Sequence, residues 1–239
     1  IIIIVSAVKN VTNLLIKLTL DKNQEYYDKI IEIHQKVVNQ IEIEKFDFTK
    51  LYQYYEELDL SNEQSKNNLI SQGEYMSSKL LHQYLADDNI SLVNAKNIIK
   101  NVDNKYVCNK NTIINQKNKV IITQGFVEEK NNQIDLLSRG GSDTSGSIIA
   151  VELQAERYEI WTDVNGIYSA DPNKIKNAKL IQNISYKLSQ ELSAMGAKVL
   201  HPFCILPCEN AKIPIIIKNT FDNNLQNTLI TNTNNKENN

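Results

Sequence analysis

Apolar residues along this chain change their spacing several times, and each change marks an element. Ile1-Ile-Ile-Ile-Val5 is an unbroken β-branched run, which predicts a buried strand. Ser6 to Asn13 is polar and reads as a loop before a helix opening over Leu14–Leu20. Between positions 25 and 60, Ile30, Ile31, Val37, Val38 and Ile41 recur at helical spacing and predict a helical hairpin on one side of a sheet. Tyr52, Tyr54 and Tyr55 read as its packing residues. Further helices are predicted over Ser71–Leu85, Thr144–Leu153 and Ser189–Val199. Short core strands are predicted over Ile90–Val93, Val120–Thr123, Arg157–Trp161 and Ile213–Lys218, with hairpin signals around Phe126–Gln133. Strands alternating with helices predict an α/β fold, a three-layer α/β/α sandwich with a mostly parallel central sheet. Beyond Ile230 the chain is polar and asparagine-rich, so a domain spanning 1–230 is expected to carry a disordered tail or linker over 231–239.

Charge narrows the partners. Lys and Arg number 26 and Asp and Glu 28, a formal charge of -2, which gives no support to a nucleic-acid partner. No apolar run approaches the ~18 residues of a membrane span, and no signal-peptide pattern is present. The expectation is a soluble, cytoplasmic protein with no membrane partner. Cys108, Cys204 and Cys208 form no recognisable framework and read as buried thiols of a reducing compartment rather than a zinc site. Neither of the two commonest phosphate-loop sequences, Gly-x4-Gly-Lys-Ser/Thr and Gly-x-Gly-x2-Gly, occurs.

Chemistry concentrates in two segments. Arg139-Gly-Gly-Ser-Asp143 puts a fixed cation, two glycines and an acid at the predicted mouth of a helix, where backbone N–H groups favour an anion. The plainer reading is a helix start capped by Ser142 or Asp143. Thr162 and Asp163 end a predicted strand before the Asn165-Gly166 turn, where ligands of parallel sheets collect; Asp163 also reads as a brace for that turn. Tyr168 and Asp171-Pro172 follow in a second loop, and Lys198 lies in Gly196-Ala-Lys-Val-Leu-His-Pro202. Ser71-Gln-Gly-Glu74 fits a capping box, with Gly73 as the odd element that makes room for a ligand. His34, His82 and His201 show no catalytic grouping.

Taken together, Arg139-Gly-Gly-Ser-Asp143, Trp161-Thr-Asp-Val-Asn-Gly-Ile-Tyr168 and Gly196-Ala-Lys-Val-Leu-His-Pro202 resemble the catalytic domain of the aspartate kinases, within the amino-acid kinase family. Ser6-Ala7 with Thr12-Asn-Leu-Leu15, Gln72-Gly-Glu74 and Asn219-Thr-Phe221 support the resemblance, which covers nearly all of 1–230. It implies an amino-acid kinase-like fold, a homodimer, and transfer of the γ-phosphoryl group of ATP to the β-carboxylate of L-aspartate. That is the first step toward lysine, threonine and methionine. By the same resemblance, Thr12, Glu74, Arg139 and Ser142 surround aspartate, with Glu74 on its ammonium and Arg139 on a carboxylate. Thr162, Asp163, Tyr168, Asp171 and Lys198 line the nucleotide site. Arg139, Asp143 and Lys198 carry the catalysis, Asp143 by orienting the phosphate-binding network, and Mg2+ is held largely through phosphate oxygens. A carboxylate acceptor is already nucleophilic at neutral pH, so alignment and charge neutralisation suffice.

Departures from the family pattern matter. Asn10 stands at a usual glycine position, Thr144 at a common tyrosine and Asn173 where Arg often follows Asp-Pro, with Lys174 as a substitute. The alternatives are another carboxylate or phosphate kinase of the same fold, or an inactive nucleotide-binding fragment. The family's Lys-Phe-Gly-Gly-Thr-Ser segment is not found and is expected upstream of Ile1. This chain by itself is therefore expected to show negligible kinase turnover; near-normal turnover of ATP with aspartate would overturn that expectation.

Overall fold

The structure, a computed structural model, describes residues 1–138, 140–172, 174–194, 200–222 and 226–232. The chain divides into two compact units, Ile1–Ser142 and Asp143–Asn239. Five of the eight strand pairings among the described residues are parallel, as the α/β reading requires.

The first unit opens with strand β1 (Ile2–Val5) and then five helices: α1 (Val11–Asp21), α2 (Gln24–Gln40), α3 (Thr49–Glu56), α4 (Glu63–Ile70) and α5 (Gln72–Leu85). It continues through β2 (Ile90–Leu92), β3 (Ile99–Val102), β4 (Lys105–Cys108), α6 (Lys110–Ile114), β5 (Val120–Gln124), β6 (Val127–Lys130) and β7 (Gln133–Leu136). One sheet has the all-parallel order β1-β5-β2, the other the mixed order β4-β3-β6-β7. Strand β5 has a neighbour on both sides, and its Ile121 and Ile122 are buried. Among the described residues strand β1 pairs only with β5, so the predicted buried strand is half-buried and Ile1 lies exposed.

The helical hairpin is present as α2 and α3. Asn23 caps α2 by accepting from the Glu25 N–H at 2.9 Å. The helix buries Ile30, His34 and Val38, one stripe at i, i+4, i+8. The Tyr27 and Tyr55 rings stack with centroids 4.5 Å apart, and Tyr55 donates to Gln24 Oε1 at 2.8 Å. Tyr55 is thus the packing residue expected, while Tyr52 is exposed. Helix α4 was not anticipated because only its end, Leu69 and Ile70, is apolar and buried. It docks by polar side chains instead: Gln64 donates to the Ile134 carbonyl at 2.9 Å and Asn67 to Asp135 Oδ1 at 3.0 Å.

Two hairpins, β3-β4 and β6-β7, turn on two residues each. Asp103 and Asn104 have φ of 50° and 59°, and Asn131 and Asn132 have φ of 53° and 65°. Left-handed values at both central positions are those of a type I′ turn, which matches the twist of the flanking strands. Asparagine and aspartate fill the positions that usually announce themselves by glycine.

Helix α7 (Gly141–Glu152) runs across the unit boundary. The second unit then has β8 (Tyr158–Thr162), β9 (Asn183–Ser185), α8 (Tyr186–Ala194), α9 (Pro202–Ala211), β10 (Ile215–Asn219) and β11 (Asn227–Thr231). Its sheet order is β8-β10-β11-β9, antiparallel only between β10 and β11. Helix α8 starts three residues before the predicted Ser189, and positions 195–199 of that prediction lie outside the described residues. Helix α9 was hidden by Pro207 in its interior. It starts with Pro202 at the first turn, where no N–H is missed, and is held by the buried Cys204, Ile205 and Cys208 against Ile160, Ile215 and Ile217. All three cysteines are buried thiols outside any disulfide. Among the described residues no helix is long and apolar enough to cross a membrane.

Helix α7 has one position where a methyl group does not fit. A Cβ on Gly146 would lie within 2.6 Å of the Tyr158 ring, whose hydroxyl donates to the Asp143 carbonyl at 3.1 Å. Gly146→Ala is expected to lower stability by about 1–3 kcal/mol through overpacking, despite the better helix propensity of alanine. A drop in the urea midpoint at unchanged slope checks this.

Candidate functional site

The first unit places its most unusual group on α5. Glu74 is 3% exposed, and its Oε2 has no hydrogen-bond partner. The carboxyl group meets the Ala7 backbone N–H, the Thr12 hydroxyl and its own backbone N–H. Burial outweighs those three hydrogen bonds and pushes its pKa up to about 7. The sequence brings Ala7 here by two devices. Asn10, at φ 71°, closes the turn into α1 in the left-handed conformation that suits the glycine usual at this position. Gly73 has no side chain, and a Cβ there would fall 2.9 Å from Ala7 Cβ and 3.2 Å from Leu15 Cδ1.

Two expectations are corrected by this geometry. Gly73 makes room for the chain's own Ala7 and Leu15, not for a ligand. Glu74 and Ser71 form no capping box: Ser71 is itself helical and makes no side-chain cap bond. Its hydroxyl donates to the Asn68 carbonyl at 2.8 Å, and its N–H bonds the Asn67 carbonyl at 3.0 Å. The run from α4 into α5 leaves no open turn to cap. Ser77, one turn after Glu74, also has a buried hydroxyl without a partner, a residue the sequence did not single out.

Arg139 lies outside the described residues. The two glycines after it have separate reasons. Gly140 takes φ 73° in the turn. Gly141 leaves space for Phe126, whose Cα would be 3.2 Å from a Cβ there. Phe126 is itself left-handed, at φ 64°, an uncommon state for an aromatic residue. The predicted helix mouth exists, with Ser142 and Asp143 in the first turn of α7, and Ser142 stands against the bare Cα of Gly125.

In the second unit, Asp143 is half-buried and its carboxyl pKa is raised by desolvation, partly offset by the His201 backbone N–H and the charge of its ring. Nothing in the spacing of the sequence pairs His201 with Asp143, 58 positions away. Thr162 ends β8 and Asp163 follows it, with Thr162 Oγ1 3.3 Å from Asp163 Oδ1. The adjacent turn is braced by another residue. Asn165 donates to Asp222 Oδ2 at 2.8 Å and accepts from Asn219 at 2.6 Å, while Asn219 Oδ1 accepts from the Phe221 N–H at 2.9 Å. That frees Asp163 from the bracing role, and it is exposed. Thr162 and Asn219 are paired ends of the parallel strands β8 and β10, the end at which α/β sheets hold ligands. Tyr168 makes a bridge to Leu180. Asp171 is exposed and lies 3.8 Å from Lys174, a weak surface pair. Lys198 and Asn173 lie outside the described residues. Thr12 and Glu74 are thus brought together in the first unit, and Thr162 and Asp163 in the second.

A sequence profile of the amino acid kinase family matches residues 1–219. The chain belongs to the amino acid kinase family. Relatives within it include an aspartokinase of Chlamydia pneumoniae, 32% identical over 92% of this chain and 54% of that protein. A bifunctional aspartokinase/homoserine dehydrogenase of Buchnera aphidicola is 40% identical over 64% of this chain and 20% of its own length. Among solved structures, E. coli aspartokinase III in complex with aspartate and ADP matches with a TM-score of 0.82 at 26% identity, covering 98% of this chain and 58% of that one. The chain spans about half the length of the Chlamydia relative and a fifth of the Buchnera one.

For this member of the amino acid kinase family, the buried carboxyl makes stability depend on pH. Glu74 holds its proton up to about pH 7 when folded, against an ordinary value of 4.5. The folded state therefore binds more protons between these limits, and stability falls as pH rises through that window and levels above it. Glu74→Gln removes the slope. Relative to the parent chain, the variant is expected to gain on the order of 3 kcal/mol between pH 4 and 8, read from urea midpoints at each pH.

Proposed function

We propose that this chain contributes the catalytic domain, residues 1–230, of an aspartate kinase, which transfers the γ-phosphoryl group of ATP to the β-carboxylate of L-aspartate and releases 4-phospho-L-aspartate. The observation that carries the reading is the buried Glu74 carboxyl with one unpartnered oxygen, in a chain similar throughout to aspartokinases. An unpaired buried carboxylate is costly, so below about pH 7 Glu74 keeps its proton until a cation pairs with it. The ammonium of an amino acid is such a cation.

Each remaining residue has a part in this reading. Thr12, whose hydroxyl proton goes to Glu74, offers its oxygen to the ammonium, and Ser142 offers a hydroxyl to the amino acid. Arg139 takes one of its carboxylates in a planar fork. Thr162, Asp163, Tyr168, Asp171 and Lys198 receive the nucleotide, with Lys198 neutralising phosphate charge. Asp143, tied to the His201 N–H, holds the start of α7 and orients the groups that meet phosphate. Mg2+ bound with ATP would supply charge neutralisation at the phosphates. The acceptor carboxylate attacks without a base, so these residues act by alignment and by balancing two anions. We place the protein in the cytoplasm as a homodimer.

The test is calorimetric. L-aspartate binding requires Glu74 to ionise, so affinity is expected to rise about tenfold per pH unit below 7 and to level above it, with one proton released per ligand at low pH. Glu74→Gln and Arg139→Gln should each weaken aspartate at least about tenfold, the loss of a charged hydrogen bond. Succinate lacks the ammonium and should be insensitive to Glu74→Gln. Equal aspartate affinity in parent and Glu74→Gln would remove the reading.

A further inference from the structure

Helix α5 has a second face. Gln72, Tyr75, Met76 and Lys79 recur at i, i+3, i+4 and i+7, and all four line a cavity of about 260 Å³. Glu74 lies about 200° around the helix from Gln72, so this cavity is separate from the carboxyl group that faces Ala7. The cavity is lined from the other side by α3 and by the segments before α3 and after β2.

Its chemistry is lopsided. Leu51 and Met76 give it a buried apolar floor, extended by Phe48 and Leu92. The polar groups of its inner wall are already satisfied. Tyr75 donates to Asn94 Oδ1 at 2.6 Å. Gln124 accepts from the Ala95 N–H at 2.9 Å and donates to Ser78 at 2.7 Å. The rim carries three ammonium groups, Lys50, Lys79 and Lys96, against one carboxylate, Asp47. Asp47 accepts from the Thr49 hydroxyl and from its N–H, the latter at 2.9 Å, and pairs with Lys79 at 3.2 Å; these contacts, the Thr49 hydroxyl foremost, hold its carboxyl well below the ordinary range. Lys96 also feels the Glu129 carboxylate outside the lining, so the lining keeps a net positive charge, carried mainly by Lys50, above an apolar floor.

We infer that this cavity binds a small organic acid in its ionised form, with the carboxylate at Lys50 and Lys96 and an apolar body against Leu51 and Met76. Size limits the class, since a cavity of about 260 Å³ lies just below the ~300 Å³ at which small-molecule pockets begin and suits a small acid. A polyanion such as a nucleotide would meet an apolar floor where it needs donors. A neutral apolar molecule would leave the two lysines unused. The site goes beyond the aspartate kinase reading and uses none of its residues.

Phenylacetate and its neutral amide, phenylacetamide, are the probes, titrated into the chain and followed by ligand-observed NMR and calorimetry. Phenylacetate is expected to saturate with a Kd below about 1 mM, and phenylacetamide to bind at least about tenfold more weakly. The double variant Lys50→Gln/Lys96→Gln changes two exposed side chains, so folding is retained, checked by an unchanged thermal midpoint. It should weaken phenylacetate about tenfold and leave the amide as it was. L-aspartate affinity in this variant should stay at the parent value, which separates this site from the Glu74 site. Absence of saturable phenylacetate binding, equal binding of acid and amide, or a double variant that binds phenylacetate undiminished would overturn the proposal.

Discussion

A carboxyl group kept from water is the constraint around which the first unit is arranged. Glu74 is buried at 3% exposure with one oxygen unpartnered, and the surrounding contacts make sense as the means of holding it there. The bare Cα of Gly73 lets α5 approach Ala7; the left-handed turn at Asn10 aims the start of α1; the Ala7 N–H and Thr12 hydroxyl then reach the carboxyl. Each contact stabilises the charged form, yet together they fall short of what burial costs. The native state therefore carries a local deficit that a cationic ligand can offset, and binding energy spent on that ionisation orients the ligand at the same time.

The second unit solves a different problem. Its loop after β8 must project Asp163 while keeping its own backbone fixed. Asn165 does the fixing, bonded on one side to Asn219 and on the other to Asp222. Thr228 adds a bond from below, accepting from the Ile167 N–H at 2.9 Å and donating to the Ile181 carbonyl at 2.6 Å. A carboxamide serves well because it donates and accepts at once without adding charge beside Asp163. The precision of a site at a strand end thus depends on neutral residues beneath it.

Much of this was legible from residue spacing, and the omissions have physical causes. Long amphipathic stretches such as α2 and the apolar core of β5 were read correctly because burial imposes a period on the sequence. Helix α4 escaped because side-chain hydrogen bonds to β7, not an apolar stripe, dock it. Helix α9 escaped because Pro207 normally ends a helix, and only the packing of Cys204, Ile205 and Cys208 overrides it. Strands β3 and β4 are short and half exposed, so their pattern is faint. At the site, Glu74 was found by its motif, but the local capping pattern gave the wrong account of what it does. The partners of Asn165 lie 54 and 57 positions away along the chain, a distance at which a single sequence gives no pairing signal.

The turns written in asparagine have one more effect. Only 7 of 239 residues are glycine, while Asn10, Asn104, Asn131 and Asn132 hold left-handed geometry. An asparagine there resists its native conformation more than glycine would, which subtracts from native stability. It also wanders less when the chain is denatured, so less disorder is given up on folding. The two effects oppose each other at every such turn. This protein therefore draws part of its resistance to unfolding from the stiffness of its denatured chain, a contribution that no native contact displays.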